Sequence, residues 1–362
     1  MIIAYSGFML AARSLSLAAL LTAAFAPCLA SAHEVYVLTQ EQIRTGMIAP
    51  PTSAISVILA NTGSFMLAAS LAVIVVVAIF FLSISRRLER LCDPFLEKIK
   101  HYAPAVARVT IGISLVAAAY FEALFGPELP LASLFGPYAM LVRAILAIAG
   151  ILIVIGWHVR AAALAMLVLF AVAVSKQGTY MLTYANYLGE IIVLLLIGTH
   201  RLGIDRFRSS LSRSRHALEA VQDALAPFSF LFLRIAFGVS LIYASFYAKF
   251  LHNELAYEVA TLPLAGHALG LSQYFGIEPH FLVLGAGIIE LVIGMFFLLG
   301  IEIRFTALFV EFWLALSLVY FGETVWPHIV LIGIPIAFFM YGYDKYSLEG
   351  RFFKKPGREP VF

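Results

Sequence analysis

The stretch FSFLFLRIAFGVSLIYASFYAKF, residues 228–250, decides the fold. It carries one early charge, Arg234, and meets no other until Lys249. A helix of about 20 apolar residues crosses a bilayer core, so this segment has the length and composition of a membrane span. An earlier stretch keeps the same frame: Arg108, Gly112, Ser114 and Leu115 match Arg234, Gly238, Ser240 and Leu241 at an offset of 126. Gly156 and Arg160 match Gly300 and Arg304 at an offset of 144, which Gly198 and Gly342 preserve. The difference of 18 is absorbed by a longer connection in the second half, Leu251 to His280. Each half then holds four spans. An even number returns the chain to the same side, so the halves are parallel repeats about an axis along the membrane normal.

The rest of the chain agrees. Of 362 residues, 62% are hydrophobic and 12% charged, against about 25% charged in soluble domains. Too little polar surface exists to face water. The net charge of +3 is modest and argues against nucleic acid, leaving the lipid bilayer as the partner. Further spans are expected near Gly63–Ile84, Ala105–Phe125, Ala139–Trp157, Ala161–Ser175, Leu182–Ile197, Phe281–Leu299, Phe305–Phe321 and Val325–Tyr341. With the span at 228–250 they make nine. Arg86, Arg87 and Arg90 are expected to stop the first of them.

Residues 1–32 read as a cleaved signal peptide, with an uncleaved first helix as the alternative. Arg13 precedes an apolar run from Leu15 to Phe25, Pro27 breaks it, and Ala30-Ser31-Ala32 offers a small-x-small cleavage site. His33 then becomes the mature N-terminus. Residues 33–58 form a short extracytoplasmic segment. Residues 59–103 hold the first span and a basic linker, and 104–206 the first four-helix repeat. A second linker, 207–226, follows, then the second repeat at 227–349 and a basic tail at 350–362. With the N-terminus outside, the strongly basic stretches fall inside, as the Lys/Arg bias of loops requires. The C-terminus is thus cytoplasmic, in a bacterial inner membrane. Cys28 lies in the leader and Cys92 beside a basic run, so no disulfide or CxxC pair is expected.

Arg234-x-x-x-Gly238, the run ending Ala248-Lys249-Phe250, and Glu290 followed by Gly294, Gly300 and Arg304 resemble the DoxX family. The resemblance covers about residues 104–345 and is fuller in the second half. It implies four-helix membrane units associated with terminal quinol oxidase and thiosulfate:quinone oxidoreductase complexes. The first half departs from the pattern, with Ala123 in place of Lys249 and Leu146 in place of Glu290.

Charged groups inside a span are costly and need partners or a wet cavity. Glu190, Glu290 and Glu311 lie nearest mid-span; Arg108 and Arg234 lie near inner ends, and Glu122, Arg143 and Lys249 near outer ends. Lys249 and Glu290 fall on expected antiparallel neighbours, so an ion pair between them is expected. The second half is thus expected to hold a pocket or proton relay drawn from Arg234, Tyr247, Lys249, Glu290, Glu311 and His328. The bland alternative is that these groups only fasten helices together.

His252, His267, His280 and His328 lie at outer ends, and a mature His33 could hold copper through its amine and ring. These histidines show no ligand spacing, so loop polarity is the plainer reading. Tyr120, Tyr138, Tyr180, Tyr184, Tyr187, Tyr243, Tyr247 and Trp326 are expected as an interfacial belt, with Tyr243 and Tyr247 as candidates for a pocket mouth. Three functional expectations stand together. The first, which the resemblance implies, is a quinone-interacting subunit or accessory of a respiratory or sulfur-oxidising complex. The others are a transporter or copper-handling protein, and a structural assembly factor.

Overall fold

A computed structural model describes residues 38, 40–199, 203–204, 224–263, 269–321 and 326–353. The expected leader, His33, His267, most of the 207–226 linker and residues 354–362 lie outside the described residues. Within them the chain is helical, with one isolated bridge between Ala123 and Pro130.

The helices are α1 (Gln40–Ile48), α2 (Ala54–Ala60), α3 (Phe65–Ile99), α4 (Ala103–Tyr120), α5 (Leu131–Phe135), α6 (Ala139–Ile155) and α7 (Val159–Gln177). They continue as α8 (Ala185–Ile197), α9 (Ser229–Phe246), α10 (Asn253–Thr261), α11 (Leu271–Phe275), α12 (Pro279–Leu299), α13 (Ile303–Phe321) and α14 (Pro327–Tyr341). Among the described residues, five helical stretches are long and apolar enough to cross a membrane: Leu91–Tyr120, Leu131–Ile155, Val159–Ile197, Ala226–Leu251 and Pro279–Leu299. They are the mark of a multi-pass membrane protein. α14 is a shorter apolar helix.

The two sequence offsets reappear as geometry. A Cβ added to Gly112 would lie 2.9 Å from the Gly150 carbonyl oxygen, and one on Gly238 would lie 2.7 Å from that of Gly294. Only glycine lets α4 approach α6, and α9 approach α12, at such range. α6 and α12 end alike, in left-handed Gly156 (φ 72°) and Gly300 (φ 69°). Two residues on, the non-glycines His158 (φ 49°) and Glu302 (φ 44°) are also left-handed. That conformation costs an L-residue about 1–2 kcal/mol, so its recurrence at matched places marks a shared turn. Beside those turns Arg108 Nη1 donates to the Thr199 carbonyl at 3.0 Å. Arg234 Nη1 donates to Phe297 at 2.6 Å and Leu298 at 2.8 Å. Cations at helix C-terminal carbonyls offset the helix dipole.

Within the first half α4 packs on α6, α6 on α7 and α7 on α8; α9, α12, α13 and α14 repeat that order in the second. The halves then cross over. α8 lies along α9 and α14 lies along α4, closing a ring of eight helices. One contiguous apolar core runs through both halves and includes Ile111, Leu115, Phe237, Phe297 and Phe338.

Two elements hold more helix than the expected spans and connections mark out. α3 does not end near Ile84 but runs through the arginine cluster and Pro94 to Ile99. Arginine stops a membrane span without stopping a helix, since its helix propensity is high. The extension is also held: Arg304 Nη1 pairs with Asp93 and lies 3.8 Å from Glu89 Oε1. The 251–280 connection is not a plain loop, because it contains α10 and α11. α10 is amphipathic: Leu255 and Val259 pack on Leu38, while Ala256 and Ala260 pack on Val283.

Candidate functional site

At its C-terminal end α9 widens into a π-turn over Tyr247–Leu251, an irregularity that often marks functional positions. This turn carries Lys249. Its Nζ lies 2.9 Å from Glu290 Oε2 on α12, with the side chains 12% and 19% exposed. Gly287, one turn before Glu290, allows the contact: a Cβ there would sit 3.1 Å from Lys249 Cβ and 2.9 Å from the Phe250 ring. Ser245 Oγ donates to the Gly287 carbonyl at 3.0 Å and ties the two helices together.

Above the pair lies a cavity of about 290 Å³. Lys249, Asn253 and His280 supply its polar wall, and Phe250, Val283 and Leu284 its apolar one. The segment Pro51–Ala54, with Val57 of α2, covers it. That cover is pinned by residues some 200 positions away. Thr52 N donates to Asn253 Oδ1 at 3.0 Å, and Asn253 Nδ2 returns a bond to the Thr52 carbonyl at 2.7 Å. Thr52 Oγ1 donates to Glu254 Oε1 at 2.6 Å. His280 Nε2 lies 3.2 Å from the same carboxylate, and its Nδ1 lies 3.2 Å from Glu278. Burial pushes the Glu254 carboxyl up, but hydrogen bonds from Thr52 and His280 outweigh it and hold Glu254 below its ordinary value. Burial alone pushes the neighbouring His252 ring down.

The other expected site residues lie elsewhere. Tyr247 stands beside the pair without lining the cavity, in an aromatic row with Tyr243, Tyr180 and His252. Arg234 is at the opposite end of α9, where it holds helix-end carbonyls and lies 3.9 Å from Asp344. Burial pushes the Asp344 carboxyl up, against the pull of Arg234. Glu311, on α13, stands apart from the Lys249–Glu290 pair; its Oε1 is buried without a hydrogen-bond partner. His328 begins α14, buried, and does not line the cavity. His33 lies outside the described residues, and among those described no three His, Cys, Asp or Glu side chains are grouped to hold a metal ion.

Thr52, Asn253 and Glu254 were not among the expected site residues. Asn253 and Glu254 sit in a stretch whose apolar spacing signals α10, but nothing in the sequence pairs Thr52 with them. The donors present suit a carbonyl-bearing ring: an ammonium and an amide face apolar walls, as in small-molecule sites generally. Compared with protein families, curated proteins and solved structures, the chain matches none.

Proposed function

We propose that this chain is a DoxX-type, multi-pass protein of a bacterial inner membrane whose cavity beside Lys249 takes the headgroup of a membrane quinone. In that reading the cavity is periplasmic and the C-terminus cytoplasmic. The protein serves as a subunit or accessory of a respiratory or sulfur-oxidising complex. The observation that carries the proposal is the ion pair of Lys249 and Glu290 beside a cavity with one polar and one apolar wall.

A bound quinone supplies a carrier of two electrons and two protons. The protein's part is to bind and orient it. The Lys249 ammonium and the Asn253 amide can donate to ring carbonyls. Glu290 fixes the direction of the Lys249 ammonium, and the pairing offsets the cost of a lone charge in this setting. Phe250, Val283 and Leu284 cover the ring faces, and the pinned Thr52 segment limits water. The test is Lys249→Met with Glu290→Gln in one chain. Membrane abundance should persist, while quenching of the purified protein's intrinsic fluorescence by a short-tailed quinone should vanish. Unchanged quenching in the double variant would sink the reading.

A further inference from the structure

The first half lacks the lysine–glutamate pair but holds an acid that the cavity does not use. Glu190 sits in the middle of α8, 2% exposed. Both of its carboxyl oxygens are buried without a hydrogen-bond partner. Of the basic groups on the adjoining helices, Arg108 donates to the Thr199 carbonyl and Arg234 to those of Phe297 and Leu298. An ionised carboxylate without a partner in an apolar interior is far too costly to persist. Protonation removes that cost.

Polar groups converge on the turn just before it. Asn186 and Tyr187 lie four and three residues earlier, on the same face of α8 as Glu190. Ser114 of α4 lies 2.6 Å from the Tyr187 hydroxyl, and Ser240 of α9 lies 3.2 Å from Asn186 Oδ1. These are the two serines matched by the 126 offset, so equivalent positions of both halves close on one stretch of α8. Beyond Tyr187, its ring centroid lies 6.0 Å from that of Tyr184. The Tyr184 hydroxyl donates to Glu128, which also accepts from Tyr180 at 3.1 Å. The row thus leads from the bundle interior towards the end that carries Lys249.

The other half supplies the control. The residue 144 positions after Glu190 is Ile334, also fully buried, and Leu331 stands where Tyr187 would be. The same helix position packs with an apolar side chain, so the architecture does not need an acid there.

We infer that Glu190 is a proton-binding site in the core of the bundle. One proton leaves water and an O–H bond forms on Glu190; no electrons move. The inference stands whether or not the cavity takes a quinone.

Infrared difference spectroscopy on purified protein tests it. Wild type minus Glu190→Ile should show the C=O band of a protonated carboxyl at neutral pH, where an ordinary glutamate, near pH 4.3, is ionised. A carboxylate band in its place would overturn the site. Glu190→Ile, which copies Ile334, should melt no earlier than wild type; a lower midpoint would make Glu190 a packing residue and overturn the inference.

Discussion

Lys249 and Glu290 protect each other, and removing one leaves the other uncompensated. Breaking a buried pair costs about 3–5 kcal/mol, and the residual exposure of both side chains places this one at the low end. Lys249→Met alone should therefore lower the thermal midpoint in detergent more than the double change Lys249→Met/Glu290→Gln does. Equal losses would show that the two residues act independently. Glu254 makes a pH-dependent contribution. Its folded-state value lies below its ordinary 4.5, so its stabilising effect is complete above that value and disappears as pH falls through the lower one. Proteolysis or hydrogen exchange at residues 51–57 should accelerate across that acidic window. Thr52→Val should accelerate it already at neutral pH.

Among the elements, the close crossings are where small changes matter. Gly238→Ala puts a methyl 2.7 Å from a backbone oxygen, and forcing in such volume costs about 1–3 kcal/mol. Gly285 lies in α12 with nothing within 4 Å of an added Cβ, so Gly285→Ala should be neutral or stabilise by about 0.5–1 kcal/mol. Melting curves of the two variants separate these outcomes. This contrast also shows what the sequence can and cannot reveal. Gly238 was legible as a contact because it recurs in register with Gly112; Gly285 has no such partner. The ion pair was legible too, since two costly charges on neighbouring antiparallel helices have few other solutions. The Thr52 latch was not, because hydrogen bonds across some 200 residues leave no periodic trace. The Tyr184–Glu128 contact escaped for another reason: tyrosines near a span end look the same whether they face lipid or line a buried row.

For the whole molecule, the offsets announce two related halves but say nothing about which helix of one lies beside which of the other. Every candidate face is apolar, so hydropathy cannot choose between neighbours. The structure resolves this by crossing α8 onto α9 and α14 onto α4. The halves therefore share one core. Two fragments divided within residues 207–226 should accumulate and co-purify when made together. Either fragment alone should be degraded, its core face unmet. Stable accumulation of the first fragment by itself would contradict a shared core.

The clasp of Arg304 on Glu89 and Asp93 sets an order of events during synthesis. α3 leaves the ribosome long before the residue that fastens it, and α4 before α14, which covers its flank. Both early helices must wait, unfastened, until the later part of the chain arrives. α14 is then the keystone of assembly. A ribosome that stops short of residue 327 releases a chain whose ring is open, with the flank of α4 left unmet.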